Sequence, residues 1–241
     1  CELSKKEKSD KVFFVTFAAV IMLPTVILNS AYWGQCDSIY TTFIILTLLY
    51  LYREKYHRAF MFLGIAFAFK LQTIFIFPFI ICFYIYKKQF SIFELLITVF
   101  TFWISGIGAF VQGRSLLDPF RIYANQTGTY QYMHVNFPSF WMFVGNDYEW
   151  LKTAAIVMAA GICGMGLYII MKRKLDCSRP ENFVSIASWF IWTCVLFLPA
   201  MHERYAYPLE ILLVILTCIN KDYLKYSSVA ILFSLFTYGN Y

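Results

Sequence analysis

Charge is what this chain has least of: Asp, Glu, Lys and Arg make up 14% of its 241 residues, while apolar and aromatic types make up 60%. Repeated apolar stretches approach the roughly 20 residues that a helix needs to cross a bilayer core, and nothing resembles a globular soluble domain. The chain therefore reads as an all-α polytopic integral membrane protein. It also lacks any Gly/Ser/Pro-rich linker or charge run that would divide it, so residues 1–241 count as a single membrane domain. The seven cysteines have no CxxC or Cys/His spacing, are odd in number and lie mostly in apolar stretches, where they read as small core hydrophobes. There is no nucleic-acid motif, and placement of Lys and Arg in loops accounts for the net charge of +6. The opening "CELSKKEKSDK" lacks the apolar core of a signal peptide and begins with Cys1, which suggests an N-terminally truncated fragment.

Apolar stretches cover 12–28, 39–52, 59–86, 95–111, 151–171, 183–198, 209–219 and a last one from 226. Fifteen of the 20 cationic residues fall in five clusters, at 5–11, 53–58, 87–88, 172–179 and 221–225, which the positive-inside rule assigns to the cytoplasm. The clusters at 53–58 and 87–88 then flank what looks like one crossing. Two short helices over 59–69 and 73–86, meeting at "KLQ" with Lys70 and Gln72 at the tip, resolve the parity; one long helix with Lys70 midway is the rival. With the hairpin, "NSAYWGQCDS" (29–38), the "KLQ" tip, a long loop over 112–150 and "MHERY" (201–205) all share the extracytoplasmic side.

Lys70 and Arg204 are the charges that topology leaves unexplained. An ionisable group at membrane depth costs at least ~2.5–3.5 kcal/mol on insertion scales, so each needs either a functional role or an internal ion pair. Glu203 is the eligible structural partner for both. The turn at 29–38 has no Lys or Arg yet carries Asn29, Gln35 and Asp37 beside Tyr32 and Trp33. The long loop carries Tyr123, Tyr130, Tyr132, Phe137, Phe140, Trp141 and Trp150, an aromatic density suited to the membrane interface.

Taken together, "NSAYWGQCDSIY" (29–40), "FKLQTIFIFP" (69–78), "NFPSFW" (136–141) and "MHERY" resemble bacterial membrane proteins related to the GPI-anchor second mannosyltransferase, within the GT-C glycosyltransferases. The pairing of "KLQ" with a later His-Glu-basic motif is also similar to the glucosyltransferases that extend the lipid-linked N-glycan precursor. The resemblance implies a GT-C-like helical bundle with short helices and an extracytoplasmic loop region. It further implies inverting transfer of a sugar, mannose first, from a polyprenyl-phosphate donor to a glycan or lipid acceptor outside a bacterial plasma membrane.

In such a site a carboxylate takes the proton of the acceptor hydroxyl, and cations stabilise charge on the departing phosphate. Lys70 and Arg204 suit the donor phosphate, as point charge and as bidentate fork. His202 and Glu203 are candidate catalytic groups. Asn29, Gln35, Gln72 and Asn136 suit hydroxyl recognition, and Trp33, Trp141 and Tyr205 suit apolar faces of sugar or prenyl chain. The resemblance sets the family's usual catalytic acid in a first extracytoplasmic loop upstream of these motifs, which leaves Asp37 as the fallback base. No metal is expected, because Asp37 and Glu203 form no recognisable carboxylate cluster. No cofactor is expected beyond the lipid-linked substrate, and the bilayer is a partner. Two rival classes stand beside the enzyme: a lipid-linked-sugar flippase or transporter that binds pyrophosphate without chemistry, and a non-catalytic membrane subunit.

Overall fold

A computed structural model describes residues 10–126 and 128–238; positions 5–9 of the first basic cluster lie outside them. Helices account for the secondary structure of the described residues, with one isolated bridge between His134 and Met201 in place of any strand. In order they are α1 (Asp10–Ile21), α2 (Pro24–Val26), α3 (Asp37–Tyr52), α4 (Tyr56–Phe69), α5 (Phe77–Lys87), α6 (Glu94–Ile104), α7 (Ile107–Val111), α8 (Asp118–Gln126), α9 (Tyr148–Arg173), α10 (Pro180–Phe197), α11 (Tyr207–Ile219) and α12 (Leu224–Tyr238). Three of the long apolar stretches are broken. Leu23, extended ahead of Pro24, turns the first by 52°. Lys70 breaks the stretch at 59–86, and Ser105 and Gly106 separate α6 from α7. The region 112–150 is also not loop throughout, since it contains α8 and a 3₁₀ turn, Phe140–Phe143.

These breaks shorten the helices. Among the described residues, Tyr148–Arg173 is the one helix both long and apolar enough to cross a membrane, and the bent pair Phe13–Ile21 with Pro24–Tyr32 passes when taken as one span. At 1.5 Å per residue the 16-residue α3 reaches only about 24 Å, short of a hydrocarbon core of about 30 Å. The 18-residue α10 reaches about 27 Å and carries Glu181, Asn182, Ser185, Ser188 and Thr193.

The "KLQ" hairpin is present. After Lys70 a 3₁₀ turn, Leu71–Ile76, leads into α5, whose Pro78 occupies the first turn, where a missing N–H costs no helix bond. The Phe90 ring touches Tyr56 and Phe60 near the start of α4 and Phe83 and Tyr84 near the end of α5, at centroid distances of 5.2–6.4 Å. The chain has therefore returned to the level at which α4 began, which excludes one continuous helix over 59–86. His57 and Glu94, 2.7 Å apart, place the starts of α4 and α6 at that same end. Midway along, a Cβ on Gly64 would lie 2.6 Å from the Thr98 carbonyl oxygen, so only glycine lets α4 and α6 approach this closely.

Four basic clusters gather at one end of the bundle. The Tyr52 hydroxyl donates to the Ser178 carbonyl at 2.7 Å and that of Tyr86 to the Leu175 carbonyl at 2.9 Å, which brings clusters 53–58, 87–88 and 172–179 together. Leu175 and Tyr223 line one cavity, which adds cluster 221–225. The start of α3, the end of α4 and the start of α11 lie at the opposite end. Between the ends, Phe60, Phe79, Phe183, Phe190 and Ile191 anchor the main apolar core. Four of the cysteines, 82, 163, 177 and 194, are buried free thiols.

Candidate functional site

The end remote from the lysines holds a cluster of buried polar groups. Its first element is a π-helical turn, Ile27–Tyr32, in which the Trp33 N–H reaches back five residues to the Leu28 carbonyl at 2.9 Å. Gly34, at φ +63, then reverses the chain into α3 in a left-handed conformation that suits glycine. Asp37 opens α3, where the helix dipole favours a carboxylate. Asn29 and Asp37 are both fully buried, and the Asn29 amide donates to Asp37 Oδ2 at 2.8 Å and to the Tyr238 hydroxyl at 3.0 Å. Lys70, extended at φ −158 and ψ 133 as α4 ends, pairs its ammonium with Asp37 Oδ1 and sits 5.5 Å from the Tyr40 ring centroid.

The "MHERY" segment enters from the other side. α10 stops at Leu198, and Ala200 takes a left-handed φ of +59. The long loop pins the chain from here on: the Ala200 N–H donates to the Tyr132 carbonyl at 3.0 Å, and the Val135 N–H to the Met201 carbonyl at 3.1 Å. Trp141 donates its indole N–H to the Phe197 carbonyl at 2.7 Å. His202 and Glu203 are thereby buried, while Arg204 keeps 22% of its side chain exposed. Arg204 Nη1 donates to Glu203 Oε1 at 3.3 Å; His202 Nδ1 lies 3.9 Å from Glu203 Oε2, beyond hydrogen-bond reach.

His202, between α10 and α11, has its pKa pushed down to about 4 by burial first, then by the charges of Arg204 and Lys70. It is therefore neutral at pH 7, packed edge-on against the Tyr130 ring at 4.5 Å. His202 Nε2, Glu203 Oε2, Arg204 Nε, Asn29 Oδ1 and the Tyr40 hydroxyl have no hydrogen-bond partner among the described residues. Buried polar atoms left so are costly, and several in one cluster point to a polar ligand.

The sequence candidates separate into three groups. Asn29, Asp37, Lys70, His202, Glu203, Arg204 and Tyr205 come together, with Gln72 beside Tyr205, whose ring lies 6.0 Å from the Arg204 guanidinium. Trp33, half-buried against the Tyr238 ring at 5.6 Å, and half-buried Gln35 border the cluster. Asn136 and Trp141 do not join it: Asn136 is an exposed turn residue at φ +58, and buried Trp141 braces α10. Lys70 and Arg204, the donor-phosphate candidates, each have a carboxylate partner, since an unpaired cation here would lack counter-charge and most of its water. The cavities of about 450 and 400 Å³ are lined by residues outside this cluster.

Three contributors were not anticipated. Tyr40 and Tyr238 carry no signal in an aromatic-rich chain. Glu210, fully buried on α11 and facing the hydroxyls of Thr25 and Ser234, did carry one: a lone carboxylate inside the apolar stretch 209–219. Among the described residues no group of three or more His, Cys, Asp or Glu is arranged to hold a metal ion.

The fold defines an all-α protein with a polar cluster at one end. Comparison with known protein families, curated proteins and solved structures finds no match to this chain.

Proposed function

We propose that the chain is embedded in a membrane through several short helices and acts as a GT-C-type glycosyltransferase, or as part of one. The membrane reading is supported by an inverted exterior. Phe13, Phe14 and Phe17 on α1, Leu96 and Phe100 on α6, and Val157 and Met165 on α9 are all exposed, while Asp37, Glu203 and Glu210 are buried. Lipid suits such a surface better than water does. Helices too short to span alone are sheltered by their neighbours, as the "KLQ" hairpin is by α9 and α10. The gathering of basic clusters at the end opposite Asp37 fits a cytoplasmic basic face and an outward polar cluster.

The observation that carries the enzymatic reading is the group of unpartnered polar atoms on His202, Glu203 and Arg204, held beside the Lys70–Asp37 pair. A polyprenyl-phosphate sugar supplies what these atoms lack: phosphate oxygens for Arg204 Nε and Lys70, and hydroxyls for His202 and Asn29. In the transfer, an acceptor hydroxyl oxygen bonds the anomeric carbon from the face opposite the phosphate. The anomeric carbon–oxygen bond breaks, its electron pair leaving on the phosphate, and the hydroxyl proton passes to a carboxylate. Asp37 has both oxygens engaged, so Glu203 Oε2 is the better placed acceptor among the described residues. Mannose and the acceptor are taken from the motif resemblance.

A second reading is favoured by the two ion pairs themselves. Internally paired charges hold helices together without chemistry, as in a non-catalytic subunit or a lipid-linked-sugar transporter. Membranes containing the chain, given radiolabelled polyprenyl-phosphate mannose, separate these classes. The enzyme transfers label and loses transfer in Glu203→Gln; the transporter moves label across vesicles without transfer; the subunit does neither.

A further inference from the structure

The basic end carries a second feature that the proposed reaction does not use. Helices α9, α10, α11 and α12 leave a groove of about 400 Å³ between them, walled by Ile169, Trp189, Trp192, Leu213 and Leu216 and bordered by Tyr223 and Tyr226. Its floor is fixed: a Cβ on Gly166 would come within 2.3 Å of the Trp189 ring, so α9 lies directly on that indole. Besides Tyr223 and Tyr226, Ser185 and Ser188 bring hydroxyls to its lining, and each serine donates within its own helix, to the Asn182 carbonyl at 3.1 Å and the Val184 carbonyl at 2.8 Å, which leaves that wall largely apolar.

The rim has the opposite character. Lys225 Nζ sits 4.9 Å from the ring centroid of the lining residue Tyr226, and Lys172 stands three residues, about one helical turn, beyond the lining residue Ile169. Lys172, Lys174, Lys221 and Lys225 are exposed, and among the described residues none has a carboxylate within ion-pair distance. The acids nearby are Asp176, which accepts from the Ser178 N–H at 2.9 Å, Asp222 beside Lys221, and Glu181, paired with Arg179 at 2.6 Å. Cations exceed them.

We propose that this groove binds one anionic phospholipid of the cytoplasmic leaflet, an acyl chain lying along Leu213 and Leu216 and the headgroup phosphate held by Lys172 and Lys225. Charge complementarity decides the occupant, since an apolar slot alone would accept any lipid, whereas unpaired lysines at its mouth select a negative headgroup. The proposal rests on the membrane reading above but not on the transferase reading.

The test uses the full chain. Carbonate washing of membranes first shows whether it is integral; release into the soluble fraction would overturn both the membrane reading and this site. For chain that stays in the membrane, melting is followed in detergent with added phosphatidylglycerol or with phosphatidylcholine of identical acyl chains. Phosphatidylglycerol should raise Tm selectively by about 3–6 °C. The double variant Lys172→Gln/Lys225→Gln should keep its Tm in phosphatidylcholine and lose that selective rise. Native mass spectrometry should show one retained phosphatidylglycerol on the parent protein and none on the variant. Equal shifts from the two lipids, or a selective rise that survives in the variant, would overturn the site while leaving the membrane reading standing.

Discussion

Lys70 and Asp37, 33 residues apart in sequence, form a nearly dry ion pair between the end of α4 and the start of α3. Removing one partner of such a pair strands the other charge. Lys70→Met should destabilise the protein by about 3–5 kcal/mol, and the double variant Lys70→Met/Asp37→Asn by clearly less. Thermal melting of the single and double variants in one detergent checks this, and additive losses would show the pair to be uncoupled.

Arg204→Lys keeps the charge but not the planar fork, and the Nε that faces no acceptor among the described residues disappears. If that nitrogen meets donor phosphate, sugar transfer should fall by about tenfold or more, the loss of one charge-assisted hydrogen bond. Melting should stay near that of the parent protein. Activity and Tm measured on the same preparation distinguish this from misfolding.

These two cations were legible in the sequence because each interrupts an apolar run away from any basic cluster. Their partners were not. Glu203 was equally eligible for Lys70 and for Arg204, and nothing in spacing relates position 37 to position 70; the choice is made by the turn at 53–55, which brings the end of α4 back to the start of α3. The all-α class and the grouping of basic clusters follow from composition and loop charge, so they too could be read directly. Helix ends were harder. The break at Lys70 could be read from its charge and from loop parity, but those at Leu23 and Ser105 interrupt runs whose apolar content is continuous, and composition hides them. Glu210 was lost to averaging, one carboxylate in a stretch otherwise apolar.

His202 gives the protein a pH dependence of definite sign. Its pKa falls from the usual value near 6.5 to about 4 in the folded chain, through burial and the cations Arg204 and Lys70, with Glu203 its neighbouring acid. The unfolded chain binds this proton first. Stability from neutral His202 is therefore complete above about pH 6.5 and is lost as pH falls toward 4. Melting curves between pH 7.5 and 4.5 should decline in the parent protein and less steeply in His202→Gln.

Gly64 and Gly161 make a matched pair for the helix packing. Gly64→Ala places a methyl against the Thr98 carbonyl and should cost about 1–3 kcal/mol, because backbone cannot rotate away. Gly161→Ala, on α9 with open space around it, should be neutral or slightly stabilising. Equal melting temperatures for the two variants would contradict the close α4–α6 approach.

The most direct test of the central claim is photo-crosslinking with a polyprenyl-phosphate mannose analogue bearing a diazirine near the phosphate, in membranes containing the chain. The account predicts label on peptides spanning 201–205 and 69–78, displaced by unlabelled donor and strongly reduced in Arg204→Ala. Label confined to other helices, or labelling indifferent to Arg204→Ala and to competing donor, would contradict it.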